Sequence, residues 1–124
     1  MVVEKGRYAG IDLGKRTWEM AIITRSGKFK TNEQGDREPE EKTTRYKGAT
    51  TGEGRVKLYK LLKAGDKVCL EAGNLAFMMA KETGKAVGCQ VRVLNPHRLA
   101  IIYATDKKTD KEDAMKLAQL IADR

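Results

Sequence analysis

Tyr8-Ala9-Gly10-Ile11-Asp12-Leu13-Gly14-Lys15 is the stretch on which the reading of this chain turns. Tyr8 to Leu13 has the character of a buried strand, ended by the turn Gly14-Lys15. Working outward, Thr17-Trp18-Glu19-Met20-Ala21-Ile22-Ile23-Thr24 is a second strand, and Ser26-Gly27 marks a hairpin turn. Phe29 to Asn32 adds a third, antiparallel strand. Residues 33–54 are rich in Glu, Lys, Thr and Gly, include Pro39 and follow no clear period. A flexible loop, an insertion or an extended hairpin is expected there.

From Arg55 onward the pattern changes. Val56, Tyr59, Leu61 and Leu62 suit a short helix closed by Gly65, and Lys67-Val68-Cys69-Leu70-Glu71 reads as a strand. Leu75 to Thr83 suits a helix capped by Gly84, with Ala72-Gly73-Asn74 leading into it. Gln90 to Leu94 is the last strand, Asn95-Pro96 starts another helix, and the final helix runs from Asp110 to about Ala122. Antiparallel strands followed by strand–helix alternation predict an α/β domain, a mixed five-stranded sheet with helices on both faces. Trp18, Phe77, Met78 and Met79 are expected in the core or in helix packing rather than as a base-stacking platform.

A chain of 124 residues accommodates one domain with a single core. The formal charge of +8 and the pI near 9.6 favour a polyanionic partner, with nucleic acid first. No apolar run approaches the roughly 20 residues of a membrane span, so no membrane association is expected. Cys69 and Cys89 sit in strand surroundings and are expected as buried free thiols, which suits a reducing, cytoplasmic compartment. His97 is the only histidine, and no Cys/His metal spacing is present.

The informative polar residues are acids at element termini. Asp12 stands among Ile11, Leu13 and two glycines; a carboxylate there is costly to bury unless paired, hydrogen-bonded or cation-bound. It equally fits an acid that caps the turn. Glu71 ends its strand before a small-residue turn, where ligands of such sheets tend to bind. It also fits a glutamate favoured by the dipole of the next helix. In Lys108-Thr109-Asp110-Lys111-Glu112-Asp113-Ala114, Thr109 and Glu112 form a capping box. Asp110 and Asp113 instead share a helical face with Ala114, Leu117, Ala118 and Ile121, the face expected to pack inward.

Two unit charges about 4 Å apart repel by roughly 4 kcal/mol at an effective dielectric near 20. A shared pocket of four carboxylates therefore calls for protons or cations, and Mg²⁺ or Mn²⁺ is the natural counter-charge. Lys15 and Arg16 beside Asp12, Arg98 after Asn95-Pro96, and Lys107 and Lys108 are candidates to hold a nucleic-acid backbone. Basic surface and a helix start explain Arg98 equally well.

Gly10-Ile11-Asp12-Leu13-Gly14-Lys15, Leu70-Glu71-Ala72-Gly73-Asn74, Leu94-Asn95-Pro96-His97-Arg98 and the Lys108–Ala114 segment resemble, in this order, the DEDD-type transposases of insertion-sequence family one-ten. Those enzymes are related to the Piv-type DNA invertases. The resemblance spans about Tyr8 to Ala122, and Lys-Thr-Asp-x-x-Asp-Ala is its most specific part. It implies a ribonuclease H-like fold, similar to the Holliday junction resolvase RuvC. It also implies an acidic tetrad of Asp12, Glu71, Asp110 and Asp113 coordinating Mg²⁺ at a DNA phosphodiester. Some members look like RNA-guided recombinases, so a structured guide RNA joins DNA among the implied partners, with a homo-oligomer in the full-length form. Members continue into a coiled-coil region and a second domain with a nucleophilic serine. On that pattern this chain corresponds to the N-terminal catalytic domain, with the C-terminal transposase domain absent.

Two other functional classes fit parts of the sequence. One is a DNA- or RNA-binding module of a recombinase whose chemistry lies in the C-terminal domain. The other is an actin-like ATPase or sugar kinase, whose first phosphate loop Gly10–Gly14 also resembles. That class needs a second domain and a second Asp-x-Gly loop, neither of which the sequence offers.

Overall fold

The structure is a computed structural model that describes residues 5–73, 75–94 and 113–123. Five strands form one sheet: β1 (Gly6–Leu13), β2 (Thr17–Thr31), β3 (Arg37–Ala49), β4 (Lys67–Glu71) and β5 (Gln90–Leu94). They lie in the order β3-β2-β1-β4-β5. The β1–β2 and β2–β3 pairs are antiparallel, whereas β1–β4 and β4–β5 are parallel. This order and mixture of directions match the ribonuclease H-like topology.

Strand alternation sorts the core into two layers. Ala9 and Ile11 of β1, Met20 and Ile22 of β2, and Val68 and Leu70 of β4 face α1 (Gly52–Leu61) and α2 (Ala76–Val87). Tyr8 and Cys69 face α3 (Asp113–Ala122), as do Ala21 and Ile23. β1 sits centrally because both of its faces are apolar or small, which suits a strand covered from either side. Cys69 and Cys89 are both free and buried, as expected.

Gly10 sets the distance between β1 and α3. A methyl group placed on it would collide with the Ala114 carbonyl, the Ala118 amide and the Leu117 Cβ. Only glycine lets the helix backbone come so close. At its other end, α3 is held by Arg25 of β2, which donates to the Ala122 carbonyl at 3.1 Å and to Asp123 at 2.9 Å. A guanidinium there also complements the negative end of the helix dipole.

Several local expectations need correction. Ser26-Gly27 does not reverse the chain: β2 runs on to Thr31, and Gly27, at φ +89°, sits in a register irregularity between Arg25 and Phe29. The reversal comes at Asn32–Asp36, where the Asn32 side chain accepts from the Gln34 and Asp36 amides. Gly35 adopts the positive φ that this turn needs. Residues 33–54 are therefore not a flexible loop; the extended-hairpin alternative holds, with β3 paired to β2 along Arg37–Ala49.

The helix boundaries also move. α1 begins after Thr51, whose side chain caps the Gly54 amide, and Val56 is exposed while Leu58 fills the core. Gly84 lies inside α2, which ends at Gly88 in the left-handed conformation. Phe77 is 68% exposed, whereas Trp18 and Met79 are fully buried. The expected helix after Asn95-Pro96 and the start of the last helix at Asp110 lie outside the described residues.

Candidate functional site

The parallel pairing of β1 with β4 carries both strand ends to the same edge of the sheet. Ile11 is in register with Leu70, so Asp12 and Glu71 occupy the next positions on adjacent strands. By alternation both belong to the α3 face, where Gly10 and Cys69 meet the helix. Asp113 is the first residue of α3 and is exposed at that same end.

A cleft of about 550 Å³ opens along this edge. Asp12, Glu71, Gly14 and Gly73 are among its lining residues, together with Lys15. The absence of bulky groups at Gly14 and Gly73 leaves backbone accessible, the setting in which a phosphate can approach a strand end closely. Lys15 makes no ion pair among the described residues and supplies a cation at the cleft wall. Arg16 is exposed in the β1–β2 turn, outside the lining of this cleft, and its carbonyl accepts from the Thr50 amide.

Electrostatics ties the three acids together. Glu71 holds its proton more tightly than an ordinary glutamate, first because of burial, then because of the negative fields of Asp113 and Asp12. Residues from positions 12, 71 and 113 thus share one electrostatic neighbourhood. They do not form a ready ligand shell: among the described residues, no group of three His, Cys, Asp or Glu side chains is placed to hold a metal ion. Asp110, Arg98, Lys107 and Lys108 lie outside the described residues.

One acid at this edge escaped the sequence reading. Glu19 of β2 is the cross-strand partner of Asp12 in the antiparallel register, and it is exposed. Like charges set opposite one another are unfavourable in a sheet, and Lys47 on β3 is the other cross-strand partner of Glu19. The signal was available in the tight turn joining β1 to β2, which fixes that pairing once Leu13 is matched to Trp18.

The donor set at this edge is all oxygen, which suits a hard divalent cation better than a soft or redox metal. A cation there would also offset the mutual repulsion of the carboxylates. None of the protein-family models matches this sequence, and no curated protein is found to be similar to it.

Proposed function

We propose that this domain is the metal-dependent phosphodiester-processing part of a DEDD-type DNA transposase or site-specific recombinase. The observation that carries the reading is the meeting of Asp12, Glu71 and Asp113 at one sheet edge, close enough for two of them to raise the proton affinity of the third. The net charge of +8 supports a nucleic-acid substrate, and the ribonuclease H-like topology is compatible with this chemistry.

In this proposal Asp12 and Glu71 hold Mg²⁺ or Mn²⁺ from the strand ends and Asp113 from the last helix, with Asp110 as the fourth ligand. When bound, the ion supplies charge stabilisation at the phosphodiester and a nucleophile at neutral pH. Because Glu71 holds its proton more tightly than an ordinary carboxylate, loading is favoured as pH rises. Lys15 lies where it can orient the phosphodiester backbone. Arg16, Arg98, Lys107 and Lys108 extend the same role in the proposal, with a structured guide RNA as a further partner.

The test is strand cleavage or exchange by the protein in Mg²⁺ or Mn²⁺. Asp12→Asn and Asp113→Asn should each lower the rate by at least about 100-fold, on the scale of losing one charge-stabilising group. DNA binding should persist. Undiminished activity in both variants would overturn the assignment.

A second reading has a specific observation in its favour. Because no three described acids form a metal-holding group, a nucleic-acid-binding domain without chemistry of its own also fits. Both readings expect salt-sensitive binding; only the first expects divalent-dependent cleavage to vanish with Asp12.

A further inference from the structure

A second groove, of about 390 Å³, lies on the other face of the sheet. Its walls carry three cations, Arg7, Lys42 and Lys63, and three hydroxyls, Thr24, Thr44 and Tyr46. Buried Ile22 forms part of its floor, and among the described residues no carboxylate lines it. The alternation of β1 puts Arg7 on the face of Ala9 and Ile11, opposite that of Asp12.

The polar groups divide into one fixed member and several available ones. Arg7 is held in place, with Nη2 donating to the Leu61 carbonyl at 3.0 Å and Nε 3.4 Å from buried Asp66. Asp66 is held in turn by the Lys63 amide at 2.8 Å. Lys42 and Lys63 make no ion pair among the described residues. The hydroxyls of Thr24, Thr44 and Tyr46 likewise have no hydrogen-bond partner among the described residues. Donors without internal acceptors, set around a pre-positioned guanidinium, make a site for oxygen anions.

We infer that this groove binds the sugar–phosphate backbone of a nucleic-acid strand at nucleotides other than those offered to Asp12 and Glu71. Arg7 and Asp12 are five positions apart on β1, about 17 Å at strand rise, and on opposite faces. Nucleotides seated in the groove therefore lie away from the acidic cleft. The hydroxyls and lysines contact phosphate oxygens and carry no base preference. The ligand class rests on the nucleic-acid reading proposed above; the location does not depend on the acidic site.

The test is fluorescence anisotropy of a labelled single-stranded oligonucleotide against the whole 124-residue chain, titrated at several salt concentrations. The double variant Lys42→Gln/Lys63→Gln should lower the slope of log affinity against log salt by about 1.4, two phosphate contacts at about 0.7 each. Lys81→Gln/Lys85→Gln, on α2 and equal in charge removed, should change it less. Lys42→Arg/Lys63→Arg should bind as the parent does. Equal losses in the two glutamine variants would overturn the groove while leaving the acidic site standing. No binding by the parent chain would overturn the groove and the nucleic-acid reading together. Tighter association with phosphatidylserine-containing vesicles than with the oligonucleotide would also overturn it.

Discussion

At Glu71, burial and the charges of Asp113 and Asp12 act in the same direction, each favouring the protonated acid. The folded state therefore holds this proton more tightly than the unfolded chain does. Its contribution to stability is complete below the ordinary carboxylate pKa and is lost as pH rises from there through the raised value. Glu71→Gln removes the charge that causes this loss. In metal-free buffer the variant should match the parent at acid pH and exceed it at neutral pH, by less than about 1 kcal/mol because the side chain is half-exposed. Thermal unfolding followed across pH reads this difference. A gain of equal size at all pH values, or a loss at neutral pH, would contradict the raised proton affinity of Glu71. The residues made Glu71 visible as an acid at a strand end, and only the family resemblance grouped it with Asp12 and Asp113, because their approach depends on α3 folding back over β1.

At the scale of elements, the junction of β1 and α3 positions the site. Gly10 allows the Ala114 and Ala118 backbone to approach, and Arg25 holds the far end of the helix. Gly10→Ala should cost about 1–3 kcal/mol through overpacking, and it should move Asp113 away from Glu71. Gly84→Ala is the contrasting change: Gly84 lies inside α2 with nothing near the added methyl, so a gain of up to about 1 kcal/mol is expected. Chemical denaturation of both variants checks the pair; similar effects would contradict the close approach at Gly10. Most strands were legible because apolar runs such as Val68–Leu70 end at clear turns. β3 was not, since Arg37–Ala49 buries no side chain fully and carries Glu, Lys and Thr at most positions. Its strand identity comes from pairing with β2 rather than from hydrophobic alternation. The Gly27 and Gly84 readings failed for a related reason: a glycine marks a backbone opportunity, and tertiary context decides whether the chain turns there.

Across the whole molecule, the sheet separates two charged regions. The acidic edge lies on the α3 side, at the carboxyl ends of β1 and β4, and the basic groove lies on the α1 side near the start of β1. Topology alone accounts for the meeting of Asp12 and Glu71, since parallel neighbours end at one edge. The stripe of Ala114, Leu117, Ala118 and Ile121 packs inward as its spacing suggested, whereas Asp113, expected on that inward face, is exposed at the start of the helix. The Arg7–Lys42–Lys63 groove was not legible, because it depends on cross-strand register and on the end of α1, whereas Glu19 could be reached only through the pairing of Leu13 with Trp18. The most direct test of the central claim is calorimetric titration of Mn²⁺ into the metal-free chain and its Asp12→Asn and Asp113→Asn variants at neutral pH. The shared acidic site predicts saturable binding by the parent, abolished in the first variant and weakened at least about tenfold in the second, a loss of roughly 1.4 kcal/mol. Identical isotherms for all three proteins, or no heat of binding from the parent, would contradict it.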